Sequence, residues 1–124
     1  MAVIREKSPK RRWMINRERK LVNEFKELVW KHLENEDLNH DQMAMMLGLS
    51  RTIYYEKIKN LMGVTPNEYL KTCRMNEAAR LLTEDELPVW EAMLRVGFKD
   101  PKYFRDCFKK RFGKSPSDYQ RFNN

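Results

Sequence analysis

The chain repeats itself, and the repeat limits its fold more than any other feature. Residues 38–49, LNHDQMAMMLGL, align with residues 87–98, LPVWEAMLRVGF, at an offset of 49. Leu38 pairs with Leu87, Gln42 with Glu91, Gly48 with Gly97 and Leu49 with Phe98. Past the glycine the second copy has one extra residue, so the offset becomes 50. Tyr54 then pairs with Phe104, Ile58 with Phe108, Gly63 with Gly113, Pro66 with Pro116 and Tyr69 with Tyr119. In each copy a glycine stops a short apolar-patterned stretch, and a longer stretch with apolar residues at helical spacing follows. Each copy therefore predicts a short helix, a tight turn and a second helix, the helix-turn-helix layout.

The rest of the chain fits around these two units. Met1 to Ile15 has many charges and no period, which predicts a mobile basic arm. Asn16 can cap a helix to about Leu33 with Leu21, Val22, Phe25, Leu28, Val29 and Leu33 on one face. Asn39 with Gln42 resembles a capping box before a short helix carrying Met43, Ala44, Met46 and Leu47. Ser50 can cap Arg51 to Met62, whose buried stripe is Tyr54, Ile58 and Leu61. Thr65-Pro66-Asn67-Glu68 is a strong helix start, leading to a long helix ending near Thr83 with apolar surface on several sides. An acidic loop, Glu84-Asp85-Glu86, precedes a helix from Pro88 to Val96, and Ser115 to Asp118 opens a last helix with Tyr119 and Phe122. The expected fold class is all-α: two helix-turn-helix subdomains joined by a long linker helix, with an extra N-terminal helix. The expected segments are 1–15 (arm), 16–65 (N-terminal helix and first unit), 66–84 (linker helix) and 85–124 (second unit with the C-terminal helix).

With only 4 Gly and 5 Pro, and Val and Ile sparse beside Leu and Met, the composition agrees with helices. Cys73 and Cys107 sit inside helical patterns, which suits two small apolar residues in a reducing cytoplasm rather than a disulfide or metal site. His32 and His40 have no companion ligands, and no catalytic constellation is visible, so no enzyme activity, metal or cofactor is expected. No stretch is long and apolar enough for a membrane span, and the start lacks a signal-peptide core. The three tryptophans, Trp13, Trp30 and Trp90, read as packing residues.

The net charge of +7 is concentrated. Residues 1–20 hold eight Lys/Arg against two Glu, and residues 99–114 hold seven Lys/Arg against two Asp. The remaining chain is net acidic. Two concentrated basic segments imply a polyanion partner. The second is GFKDPKYFRDCFKKRFG, residues 97–113. Asp100 can cap it, Pro101 suits its first turn, and Phe104, Cys107 and Phe108 would bury one face. Such a helix suits the major groove of double-stranded DNA.

The run VGFKDPKYFRDCFKKRFGKSPSDYQ resembles the signature of the DNA-binding domain of AraC/XylS-type transcription regulators. Arg74 followed by Ala78, Leu81 and Leu82 also matches that family's linker helix, so the resemblance covers roughly Leu38 to Phe122. The preceding helix resembles the lead-in of hybrid two-component regulators, which implies a sensor or receiver domain on a longer chain. The family resemblance also implies activation through RNA polymerase. One departure is the pair Ala44 and Met93, where a bulky side chain in the second copy could open the angle between its helices.

If the stripes above are buried, the opposite faces read DNA. The candidate base-reading residues are Arg51, Thr52, Tyr55 and Glu56, then Lys102, Tyr103, Arg105 and Asp106. The family's base-reading positions fall on Thr52, Tyr55, Glu56, Lys102, Arg105 and Asp106. Arg51 or Arg105 can bond guanine in bidentate fashion, Glu56 or Asp106 can accept from cytosine N4, and the Thr52 methyl can touch thymine. Ser50, Lys59, Lys109 and Lys110 suit phosphate contacts. Other roles stay open: Glu56 can pair with Lys57 or Lys59, Asp106 with Lys102 or Lys110, Tyr103 can belong partly to the core, and the lysines can be ordinary solvated charges. A linker helix holding the two readers about one DNA turn apart, roughly 34 Å, would let one monomer cover a bipartite site. The competing class is a helical protein-interaction module whose basic charge is incidental.

Overall fold

A computed structural model describes residues 15–123, so Trp13 and nearly all of the expected arm lie outside the described residues. Seven helices are found among the described residues: α1 Asn16–Lys31, α2 His40–Met46, α3 Arg51–Met62, α4 Pro66–Thr83, α5 Val89–Arg95, α6 Pro101–Phe112 and α7 Pro116–Phe122. No strand occurs among them. Residues 15–31 with Leu38–Tyr69 form one compact unit, and His32–Asp37 with residues 70–123 form a second. Helix α4 runs from one into the other, passing between them at Tyr69 and Leu70.

The first unit packs α1 and α2 against α3. Val22, Phe25 and Val29 from α1 are buried, as are Met43 and Ala44 from α2 and Tyr54 and Ile58 from α3. Phe25 meets Tyr54 edge-on at 6.0 Å and Tyr69 at 5.4 Å. The buried Tyr54 hydroxyl lies 2.9 Å from His40 Nδ1 and donates towards Met43 Sδ at 3.6 Å. These contacts satisfy a polar group that burial would otherwise penalise. Burial, followed by the neighbouring Tyr55, pushes the Tyr54 phenol well above its ordinary value. Leu61, expected in the buried stripe, is only partly covered.

The second unit repeats this layout on an aromatic core. α5 packs on α6, and α6 on α7. Met75, Ala78, Leu81 and Leu82 of α4 meet Ala92, Met93, Val96, Phe98, Phe104 and Phe108 in one buried cluster. Phe108 is fully buried with Phe104, Phe112 and Tyr119 at ring distances of 6.0, 4.6 and 5.2 Å. Gln120 of α7 donates to the carbonyls of Leu82 (3.0 Å) and Leu87 (2.6 Å), which fixes the α4–α5 loop. Arg80 gathers Glu77, Glu84 and Asp85, giving Glu84 and Asp85 of that loop a cationic partner.

The two turns are built alike despite the Ala44 and Met93 difference. Leu49 N donates to Ala44 O at 2.9 Å, and Phe98 N to Met93 O at 3.1 Å. Gly48 and Gly97 have φ of +72° and +81°, a region that disfavours side chains. The small and large residues have simply exchanged neighbours: Met43-Ala44 in one copy becomes Ala92-Met93 in the other, and all four are buried. The extra volume of Met93 is thereby matched next door, and the turn hydrogen bonds are kept.

Several local expectations need correction. α1 ends at Lys31, two residues early, and its cap is Ile15, whose N–H donates to Glu18 at 3.2 Å; Asn16 is already helical. Of the helix starts expected at Asn39, Thr65 and Ser115, the reciprocal bonds of a capping box appear at Thr65 and Glu68, at 2.8 and 3.1 Å. Asn39 and Ser115 each accept the forward bond, from Gln42 N and Asp118 N. Trp30 and Trp90 are not packing residues: they are 50% and 62% exposed. Both face outward, while Val29 and Ala92 on the same helices are buried.

Candidate nucleic-acid interface

Burying Tyr54 and Ile58 forces the opposite side of α3 outward. Thr52, Tyr55, Glu56 and Lys59 then fall at i, i+3, i+4 and i+7 on one stripe. In α6 the buried pair is Phe104 and Phe108, and the same geometry turns out Lys102, Arg105, Asp106 and Lys109. The stripes correspond position by position at the offset of 50. All twelve candidate residues are solvent-exposed except Tyr55, which is half-buried.

The two stripes differ in chemistry. That of α3 is neutral, with one Glu and one Lys. That of α6 is net positive, and Lys110 and Arg111 add charge in the last turn, where the helix dipole also favours cations. Both helices are firmly capped. The Ser50 hydroxyl accepts from Ile53 N at 3.3 Å, leaving its proton available to a phosphate. Asp100 accepts from Lys102 N at 3.0 Å. Gly63 and Gly113 close the helices in the left-handed conformation.

Within the first stripe, Tyr55 sits edge-on to Tyr54 (5.5 Å) and to His40 (5.7 Å), which fixes its ring. Arg51 lies just off the stripe, bonded to Asp41 at 3.1 Å and positioned over the Tyr55 ring at 5.6 Å. The side chains of Thr52, Glu56 and Lys59 have no hydrogen-bond or ion-pair partner among the described residues; Glu56 pairs with neither Lys57 nor Lys59.

Within the second stripe, Lys102 and Asp106 form an exposed ion pair at 3.1 Å, so the Asp106 carboxylate already has a partner. Tyr103 is 49% exposed, with its ring against Phe98 at 5.4 Å. Core packing and surface access are both true of it. Arg105, Lys109 and Lys110 extend without side-chain partners among the described residues. The flanking charges are engaged: Lys99 with Glu36 (3.3 Å), Arg111 with Asn76 (2.8 Å) and Lys114 with Asn123 (3.4 Å).

One residue escaped the sequence reading. Lys71 of α4 brings its ammonium to 5.8 Å from the Tyr103 ring, adding charge beside the start of α6. A basic residue also stands at the offset-related position, Arg121, which is the signal that extending the repeat into the last helix would have supplied. No group of three His, Cys, Asp or Glu suited to a metal occurs among the described residues, and both cysteines are free. No helix of the described residues is long and apolar enough to cross a membrane.

A family profile described as a helix-turn-helix domain matches residues 43–121, which holds both turns and both exposed stripes. The chain belongs to the AraC-type helix-turn-helix family of DNA-binding transcription regulators. Among its relatives, histidine kinase P4 of Formosa agariphila is 39% identical over 103 residues, 83% of this chain but 7% of the kinase. The transcriptional activator RhaS of Escherichia coli is 34% identical over 83 residues, 67% of this chain and 30% of RhaS. The chain thus spans less than a third of the length of either relative. Among solved structures, the C-terminal domain of AraT, a response regulator from Geobacillus stearothermophilus, superposes with a TM-score of 0.77 at 35% identity, covering 82% of this chain and 84% of that one. The DNA-binding domain of the global transcriptional factor AdpA, solved with a target DNA, gives a TM-score of 0.75 at 28% identity, covering 81% and 89%.

Proposed function

We propose that the chain is the DNA-reading part of a transcription regulator, with α3 and α6 entering successive major-groove segments of one duplex. The observation that carries this is the pair of corresponding exposed stripes, each backed by a buried aromatic–aliphatic stripe and held by a capped helix. α3, with Thr52, Tyr55 and Glu56 on a neutral face, does more of the base reading. α6 combines base reading by Lys102 and Arg105 with phosphate clamping by Lys109 and Lys110. Ser50 and Lys59 add phosphate contacts beside α3. Arg51 reaches a guanine edge only by leaving Asp41. Asp106 contacts a cytosine only by sharing itself with Lys102. Neither helix carries a catalytic group in this reading, and the setting is cytoplasmic.

The relatives support a wider role. RhaS is an activator and AraT a response regulator, and the first relative is a histidine kinase. We infer that the chain serves as an output segment answering to a sensor or receiver domain, and that it contacts RNA polymerase when bound.

A salt titration separates this reading from a protein-interaction module, which the exposed Trp90 and Leu94 of α5 would otherwise favour. DNA binding through several phosphate contacts should give log K falling linearly with log salt, with a slope near −0.9 for each phosphate neutralised, about −3 in all for the lysines placed on phosphates. A flat response, or no binding to duplex at low salt, would favour the interaction module.

A further inference from the structure

We propose that Arg74 is a positioning residue for α6, acting by clasping the His32–Asp37 segment against the turn that precedes that helix. The proposal rests on the reading of α6 as a DNA-contacting helix. All the contacts involved lie within the second unit.

Arg74 projects from α4 and donates twice to backbone carbonyls, Nε to Leu33 O at 3.2 Å and Nη2 to Asn35 O at 2.9 Å. It has no carboxylate partner among the described residues. Burial lowers its affinity for its proton, so those carbonyls are what compensates the covered charge. The same guanidinium is seated on Gly97. A Cβ at that position would lie 2.9 Å from Arg74 Cζ, from Arg74 Nη2 and from Leu33 O. Glu36 extends the clasp with its ion pair to Lys99, two residues past the glycine. From Gly97 the path to the reading helix is short. Phe98 is buried, and its ring meets Tyr103 at 5.4 Å and Phe104 at 5.5 Å in the first turn of α6.

The other turn supplies a natural comparison. Gly48 has nearly the same backbone conformation, yet a Cβ there would meet nothing within 4 Å. The first turn has no clasp, so its glycine answers only to backbone geometry. The second has both requirements.

The test uses the whole chain. Arg74→Met removes the donors at similar length, and Arg74→Lys keeps a donor for one carbonyl. On a duplex carrying both half-sites, at a protein concentration that saturates the first block, Arg74→Met should lose protection of the block held by α6 and keep the block held by α3. Arg74→Lys should recover part of that protection, which loss of bulk packing alone would not explain. Wild-type protection of both blocks, or parallel loss at both, would overturn the proposal. Should Arg74→Met fail to fold, the glycines carry the test. Gly97→Ala should speed amide exchange at residues 33–37 and 97–104 about tenfold beyond what Gly48→Ala does around its own turn. Equal effects of the two substitutions would overturn the clasp. Exchange needs no DNA, so a chain that bound no duplex would defeat the functional reading and leave this arm intact.

Discussion

Arg105→Ala probes the division of labour on α6. In the structure the Arg105 side chain is exposed and has no hydrogen-bond or ion-pair partner among the described residues. Its removal therefore breaks nothing within the fold, and the change in stability should stay within about 0.5 kcal/mol. If Arg105 makes a bidentate contact to guanine, losing it costs about 1–3 kcal/mol of discrimination, or roughly 5- to 150-fold in affinity for the preferred site. Arg51→Ala should cost less. Its guanidinium must first give up an exposed bond to Asp41, worth about 0.2–1 kcal/mol, so its net contribution to binding is smaller. Lys109→Ala should weaken preferred and random duplex alike and reduce the salt slope by about one. The assay is a gel-shift or anisotropy titration of each variant on a preferred duplex, on single-base variants of it and on random DNA, with a thermal melt as control. Arg105→Ala should flatten preference at one base pair and leave the others. Equal losses on preferred and random DNA for Arg105→Ala and Lys109→Ala would refute the separation of reader from clamp.

Other consequences follow from the packing. Phe108→Ala empties the centre of the aromatic cluster and should cost about 3–5 kcal/mol by chemical denaturation, with DNA contact by α6 lost as far as the second unit unfolds. Thr65→Ala removes one half of the reciprocal cap on α4 and should cost about 0.5–2 kcal/mol. Tyr54 gives a pH signature. Its phenol is held above the ordinary value of 10.0, so folding favours the neutral form. That contribution is fully present below pH 10.0 and is lost as pH rises towards the folded value; Tyr54→Phe should flatten the alkaline loss of stability seen by melts across that range.

Much of this fold could be read from residue order because the repeat checks each assignment against a second copy. Gly48 and Gly97 fixed the turns, and apolar spacing fixed which sides of α3 and α6 are buried, hence which sides face out. What escaped was set by tertiary contact. Ile15 caps α1 because the Glu18 side chain reaches back, which composition alone does not announce. Trp30 and Trp90 are large and apolar, yet their helices turn them outward. Asp106 and Glu56 occupy corresponding positions, but only Asp106 finds a lysine, because α6 has Lys102 where α3 has Thr52. Arg74 was visible only as part of a family pattern; its partners lie some 40 residues away, at Leu33 and Asn35.

The most direct test of the two-reader arrangement is to select bound duplexes from a random pool and sequence them. Two conserved blocks centred about 10–10.5 base pairs apart are predicted, one changed in preference by Glu56→Ala and the other by Arg105→Ala. A single block, or two blocks that both respond to the same substitution, would contradict it.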